Sequence, residues 1–556
     1  MRSPLRWSLL AGSLVFLACE HPAPSEPVGG AFEIGQSLAV ESGREARVLG
    51  GANGGFFSLV LANIAGDTLS STAFTLRTTG IADGIPGPFG SRSPLAADAR
   101  GGGALPALRD DRLEERLRDR ERVLLSPRID AARRWYASRV PALPATPSVG
   151  DLITINVNAA VSCASPVYHA VRVVAIGSKA LVLEDTLNPK PGFTTADFQR
   201  FAARFDTLVY PLDVAAYGTP TDIDANGRIA IVFTLAVNEL TPPSAPSYVG
   251  GLTFSRDLFP QVGTARAQAC PASNEGELFY MMTPDPYGVV NGNRRSAGFV
   301  DTVATSVLAH ELVHLINASR KLYVNTAAPR FEEKWLDEGL AHIAEELLFY
   351  RESGLVSRSN LDYATLAATN RTKGAYRADM AANAARYKEY LLATAKSSPY
   401  RGGDSLPTRG AAWSLLRYLA DRTRTSDGDV WSRLVDNSTT GMANLQAVFG
   451  KDVPAMVRDW AGSHALDDRG IPSAAFQQPS WNWHSIYGGI DGLEALYPLH
   501  PAPLSASTST YTGSLVAGGA DFYTFSVPAN DTATITLGAA PGAAAANLQF
   551  LIVRTQ

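Results

Sequence analysis

Cysteine is scarce, with three residues in a chain of 556, at Cys19, Cys163 and Cys270. That count excludes a small fold stapled by disulfides. An excess of one charge is also missing: 49 basic against 53 acidic residues leave a formal charge of −4. A nucleic-acid binder needs a net or clustered positive surface, so the balance argues against nucleic-acid partners. No apolar run reaches the roughly 18 residues that span a bilayer as a helix. No segment recurs at a fixed period, which excludes a solenoid or propeller. What is present is 46% hydrophobic and 18% charged sequence, enough to fill sizeable cores. A disordered chain and a coiled coil are thereby excluded. At about 150 residues per domain, three or four domains are expected.

The N-terminus reads as an export signal over residues 1–18. Arg2 and Arg6 precede an apolar stretch, Trp7 to Leu17, too short for a membrane span. Phe16-Leu17-Ala18-Cys19 is similar to a bacterial lipoprotein processing box, which implies a lipidated Cys19 and attachment to the membrane through that lipid. Plain secretion is the alternative. Cys163 and Cys270 then remain in an oxidising compartment, where they are expected to pair. Residues 19–30 read as a tether. Short β-type runs, Phe56–Leu61 and Phe74–Arg77, make 31–80 a small β-module. Residues 81–147 combine a Gly/Pro-rich linker with a charge-dense helix near 108–138. Its opposite charges at i,i+3 and i,i+4 suit an exposed, solvated face. Strand-like runs at Ile153–Val157, Ala170–Ile176, Ala180–Glu184 and Ile229–Phe233, with a helix near Phe193–Phe205, make 148–295 an α+β lobe. Helical patterns dominate 296–500, with Trp481, Trp483 and Tyr487 covering an apolar seam. Residues 501–556 return to β patterning, and are short for a complete sandwich. They are either truncated or paired with the N-terminal β-module.

The chemistry concentrates in Asp301–Leu322. Asp301 is placed to cap a helix. Leu308, Leu312 and Leu315 form a core-facing stripe. His310 and His314, four residues apart, stack their imidazoles on one helical face, and Glu311 sits about 100° around it. Two neutral imidazoles, one further protein ligand and a water make a catalytic Zn²⁺ site. A neighbouring carboxylate can accept the water's proton and pass it to the leaving amine. His-Glu-x-x-His supplies both ligands and base within five residues. A second helix follows at Glu332–Glu346. Its acids and histidine, Glu332, Glu333, Asp337, Glu338, His342 and Glu345, are all candidates for the third ligand, and spacing alone does not choose among them.

His310-Glu-Leu-Val-His314 followed by Trp335-Leu-Asp-Glu338-Gly-Leu-Ala resembles the gluzincin metallopeptidases. The resemblance implies Glu338 as the third zinc ligand. The shorter spacer of aminopeptidase gluzincins would point to Glu333 instead. The nearer likeness is to hyicolysin-like bacterial peptidases, through Leu315-Ile316-Asn317-Ala318, Trp335–Ala341, Gly410–Leu419 and Thr440–Gln446. It covers roughly 148–490. It implies an α+β fold with a two-lobed zincin-type core, flanked here by small β-modules at both termini. It also implies zinc and peptide-bond hydrolysis. His342 stands where a thermolysin-type pattern has Asp, which leaves its role open.

Two weaker signals accompany these. Asp222, Asp224 and Asn226, before Gly227, match the start of a Ca²⁺ loop, but Phe233 stands where the bidentate Glu belongs. An oxyanion donor could come from Tyr350, Tyr376, Tyr387, Tyr418, His342 or His464. The sequence is thus read as an exported zinc metalloendopeptidase acting on protein or peptide substrates. Zinc is held by His310, His314 and Glu338, and Glu311 is the base. Rival readings are a zinc aminopeptidase and a catalytically silent surface-attached binding protein. The first is disfavoured because no Gly-x-Met-Glu-Asn-like segment precedes His310.

Overall fold

The computed structural model describes residues 28–83, 111–138, 147–159, 162–245, 247–263, 269–401, 405–490, 497–539 and 547–556. The segment expected to be an export signal, Cys19, and residues 84–110 and 139–146 lie outside the described residues. The chain opens with strands β1 (Val28–Ala31), β2 (Ser37–Glu41), β3 (Glu45–Leu49), β4 (Gly55–Asn63) and β5 (Ser71–Thr79). Helices α1 (Asp111–Leu125) and α2 (Ile129–Ser138) follow. Next come β6 (Leu152–Asn156), β7 (Tyr168–Ile176), β8 (Ala180–Asp185), α3 (Thr195–Arg204), α4 (Tyr210–Tyr217), β9 (Ile229–Phe233), α5 (Leu235–Asn238), β10 (Gly251–Leu252) and β11 (Leu278–Met281). A helical stretch holds α6 (Ala297–Tyr323), α7 (Lys334–Ser353), α8 (Tyr363–Ala367), α9 (Asn370–Ala375), α10 (Ala381–Leu391), α11 (Leu406–Asp421), α12 (Asp427–Val435), α13 (Gly441–Phe449), α14 (Val453–Leu466) and α15 (Trp483–Ile490). The chain closes with β12 (Ala502–Pro503), β13 (Thr510–Val516), β14 (Ala520–Val527), β15 (Thr532–Ala539) and β16 (Leu548–Arg554).

The two terminal β segments form one sandwich. One sheet runs β1-β3-β15-β5-β13 and the other β12-β14-β4-β16-β2. The C-terminal strands are not an appendage: β15 lies between β3 and β5, and β16 between β4 and β2. Alternation drives this assembly. In β15, Ala533, Ile535 and Leu537 turn inward, and in β5 Phe74 and Leu76 do the same. They meet Phe57, Leu59, Phe525, Phe550 and Ile552 of the opposite sheet in a single core.

The central sheet runs β10-β11-β9-β8-β7-β6. Strands β8, β9 and β11 are parallel, and β9 (IAIVF) is buried throughout, as a strand covered on both faces must be. Helix α3 starts at a capping box between Thr194 and Asp197 and buries Phe198 and Phe201 against Phe193 and Phe233. A disulfide joins Cys163 to Cys270 across 107 residues. Closing a loop of that length contributes about 4 to 5 kcal/mol in the chain-entropy account.

Helix α6 is the spine of the helical part. It begins at Ala297, and its cap is Ser296, whose hydroxyl accepts from the Phe299 amide. Asp301 is not the cap; it pairs with Arg200 at 2.9 Å on the surface. By length and composition α6 could cross a membrane, but 78% of its apolar window is buried inside the protein, which identifies a core helix. Its apolar side chains share one core with the central sheet, α7, α10 and α11. The charge-dense helix corrects expectation as well. α1 is not a solvated rod: Leu117, Glu121 and Leu125 are buried and its inner face lies on the site described next.

Candidate metal centre

Helix α6 presents His310 and His314 on one face, with Nε2 atoms 3.1 Å apart. Helix α7 crosses it and brings Glu338, whose Oε2 lies 3.4 Å from Nε2 of His310 and 3.6 Å from Nε2 of His314. Three donor atoms thus surround one point. Tetrahedral zinc with bonds of ~2.0–2.1 Å separates its ligands by about 3.3 Å, so the triangle has the size the ion requires. Oε1 of Glu338 is buried without a hydrogen bond among the described residues. The residues therefore fit a zinc ion.

The remaining ring nitrogens are held by carboxylates. Nδ1 of His310 is 2.8 Å from Oε1 of Glu345, and Nδ1 of His314 is 2.9 Å from Oδ2 of Asp337. This arrangement turns each Nε2 toward the centre, as metal-bound imidazoles commonly require. Asn317 donates to Oδ1 of Asp337, at 2.7 Å, and fixes it. Glu345 also meets His342, whose Nδ1 is 3.2 Å from Oε2. His342 therefore stands behind His310 rather than among the three converging donors.

Charge follows from this geometry. Burial and Arg118 oppose protonation of His314, but the Asp337 and Glu338 carboxylates together outweigh them and lift the imidazole to about 10. Burial would raise Glu338, yet Arg409 and the two histidines hold its carboxyl well below the usual range. Arg409, on α11, is 3.0 Å from Oε2 of Glu338. The close approach of α11 depends on small residues. A Cβ on Gly410 would sit 2.3 Å from the Arg386 backbone, and one on Gly339 2.9 Å from Leu416. Arg409 is a residue the motifs do not signal.

Glu311 is held beside the centre. Its Oε2 accepts from the Thr253 amide at 2.9 Å and pairs with Arg118 of α1 at 3.4 Å. Arg118 also donates to the Thr253 carbonyl at 2.7 Å, so α1 is fastened to the end of strand β10. A cavity of about 30 Å³ remains between α1 and the centre, lined by Arg118, Glu121, His314, Asn317 and Asp337. It has room for a water molecule, not a peptide. A larger cleft of about 430 Å³ opens on the outer side of α1, bordered by Asp119, Arg122, Phe331, Trp335 and Tyr400.

Other third-ligand candidates are turned elsewhere. Glu332 accepts from the Gly441 amide and Asn444 and faces Lys321. Glu333 accepts from the Trp335 indole and pairs with Arg330. Tyr350, Tyr387, Tyr418 and His464 are engaged with groups outside the triangle. Tyr350 donates to Glu346, Tyr387 meets His464, and Tyr418 donates to the Ala475 carbonyl. Tyr376 lies in the π-helical turn Tyr376–Met380. Trp481 and Trp483 are buried in an aromatic stack with Phe349, Tyr350 and Tyr487.

In the acidic turn, Phe233 is a core residue of β9. The carboxylate that joins Asp222 and Asp224 is Glu277, just before β11. Asn226 offers no ligand oxygen: its Oδ1 accepts from the Arg228 amide, and its Nδ2 donates to Oδ2 of Asp224.

No protein-family model matches the chain. It is similar to the neutral metalloprotease ShpI of Staphylococcus hyicus, with 29% identity over 154 residues. The match covers 28% of this chain and 31% of the relative, so the chain spans about a third of the protein it resembles. This partial likeness supports a metallopeptidase affiliation and, with the His/Glu groups above, a metal.

Proposed function

We propose that the chain is an exported zinc metalloendopeptidase of the hyicolysin-like gluzincin type, with a two-lobed zincin-type core. His310, His314 and Glu338 would hold the ion. The observation that carries the reading is the convergence of their three donor atoms, with Glu311 one residue along the same helix. Bound zinc supplies a Lewis acid and lowers the pKa of water. Glu311 accepts a proton from the attacking water and returns it to the leaving amine nitrogen. Asp337 and Glu345 keep the Nδ1 protons of His314 and His310 in place, so each Nε2 keeps its lone pair for the ion. Strand β10, at the edge of the central sheet, leads to Thr253, whose amide orients Glu311. Export is supported by the Cys163–Cys270 disulfide, which persists in oxidising compartments.

The test is a library of internally quenched peptides blocked at both ends. Wild type is expected to cut internally. Glu311→Gln should keep its zinc and lose about 10²–10⁴-fold in turnover. Glu338→Ala should lose the metal, while Glu333→Ala keeps it. Substantial turnover in zinc-replete Glu311→Gln removes Glu311 as base. Cleavage confined to peptides with a free amine would favour an aminopeptidase. No cleavage of either peptide kind would favour a binding protein.

A further inference from the structure

We propose that Asp222, Asp224 and Glu277 form a calcium site that fastens the turn after α4 to the central sheet. One carboxylate oxygen from each lies within 4.8 Å of the other two. Oxygens sharing one Ca²⁺ at ~2.3–2.6 Å lie at most about 4.6–5.2 Å apart, so the three can reach a single ion. All three ligands are hard oxygens, which suit calcium and not a softer metal.

Acidic turns are common without an ion, and the decisive feature here is Glu277. It is only 3% exposed. Its Oε1 accepts from the Ile223 amide at 2.8 Å, which aims the carboxylate into the turn. Its Oε2 is buried without a hydrogen-bond partner among the described residues. An unpaired buried carboxylate oxygen is costly, and a shared cation would satisfy it. Burial and the two neighbouring aspartates push the Glu277 carboxyl well up, and burial lifts Asp224 to about 6. Asp222 is exposed and Asp224 half-buried, so an ion can enter from solvent.

The turn itself is built for this. The Gly227 amide donates to Asp222 at 3.0 Å and the Asn226 amide to Asp224 at 3.1 Å. The Asn226 side-chain amide also donates to Oδ2 of Asp224, which orients that carboxylate. The glutamate that a contiguous loop would supply twelve positions along comes instead from a segment some fifty residues later. The same turn is tied to α6, since Ser319 accepts from the Thr221 amide and Arg320 donates to the Thr219 carbonyl. Calcium here would brace the helix that carries His310 and His314, from outside the zinc centre.

The experiment uses the full zinc-loaded chain in calcium-free buffer, titrated with calcium chloride alone and, in parallel, with terbium chloride. Tyr210 lies within electrostatic reach of Asp222 and Glu277, so its excitation should sensitise bound terbium. Wild type is expected to gain several degrees in Tm with calcium and to show terbium emission that calcium displaces. Glu277→Gln keeps the acceptor for the Ile223 amide. It should melt no lower than wild type without calcium, yet gain nothing from it. Asp222→Asn, at the exposed edge, should also lose the calcium response. An equal rise in wild type and both variants overturns the site, as does no rise in wild type at millimolar calcium. An equal response to magnesium overturns the calcium assignment.

Discussion

His314 carries a charge that zinc must remove. In the metal-free protein the Asp337 and Glu338 carboxylates together lift the imidazole to about 10 against the opposing effect of burial, which favours its protonated form at neutral pH. A ligand nitrogen must be neutral, so metal uptake releases a proton. The sign follows: affinity weakens as pH falls, because protons compete for the same lone pair. For the apo fold, the raised pKa contributes stability that is present below the unfolded value near ~6.5. That stability is lost as pH rises through about 10. Calorimetric titration of the apo-protein with zinc at pH 7, in buffers of differing ionisation heat, should show about one proton released. Asp337→Asn should reduce that release, and a buffer-independent heat would disprove it. These residues differ in how far the sequence discloses them. His310, Glu311 and His314 are legible because helical spacing alone puts them together. Glu338 is legible only through the resemblance of its motif, since six candidates share its segment. Asp337 and Glu345, as partners of Nδ1, and Arg409, as partner of Glu338, depend on how α7 and α11 cross α6. Nothing in local periodicity encodes that crossing.

At the scale of elements, under the proposed peptidase function, α1 decides whether a peptide can reach the centre. The alternating charges of 108–138 correctly indicate a helix, but they mislead about exposure. Charges sustain a helix equally well when their partners lie on other elements. Arg118 and Glu121 meet Glu311 and the Arg256 amide, and Arg122 donates to the Glu332 carbonyl. Lys334 reaches back to Asp119 at 2.9 Å. With the helix in place only about 30 Å³ is open beside His314, so an extended substrate must displace it. Weakening the contact should therefore speed cleavage. Arg118→Ala removes two anchors, to Glu311 and to the Thr253 carbonyl. It is expected to raise kcat/KM on quenched peptides by about tenfold, the equivalent of ~1.4 kcal/mol. Hydrogen exchange over 116–125 should quicken in the same variant. A slower enzyme with unchanged exchange would instead make α1 part of the working site. Strand β9 shows the opposite case, where a short apolar run sufficed to read the element. The two-residue β10 and four-residue β11 leave too brief a pattern to be seen, although β10 leads directly to the amide that holds Glu311.

Across the whole molecule, the ends of the chain depend on each other. Among the described residues β4 has only β14 and β16 as neighbours in its sheet, and β5 only β15 and β13. Every neighbour of these two strands comes from beyond residue 500. The sequence leaves open whether 501–556 is a fragment or a partner of the N-terminal module, because period-2 alternation specifies a face and not a neighbour. Register supplies the neighbour: Val60 pairs with Phe522 on one side and Leu551 on the other. Removing residues 508–556 would strip both edges of β4 and β5 and expose Phe57, Leu59, Phe74 and Leu76. The sandwich also touches the helical part, since Gly462 of α14 packs where a Cβ would lie 3.0 Å from Leu551. The truncated chain is therefore expected to lose protease resistance over 28–83 first, with the central sheet and α6 retaining slow exchange. Limited proteolysis with mass spectrometry of the fragments checks this. Survival of an intact 28–83 segment after truncation would show that the N-terminal strands fold without their partners. The interleaved order of the two sheets makes that outcome incompatible with the core described here, because β15 and β16 supply Ile535, Leu537, Phe550 and Ile552 to its centre.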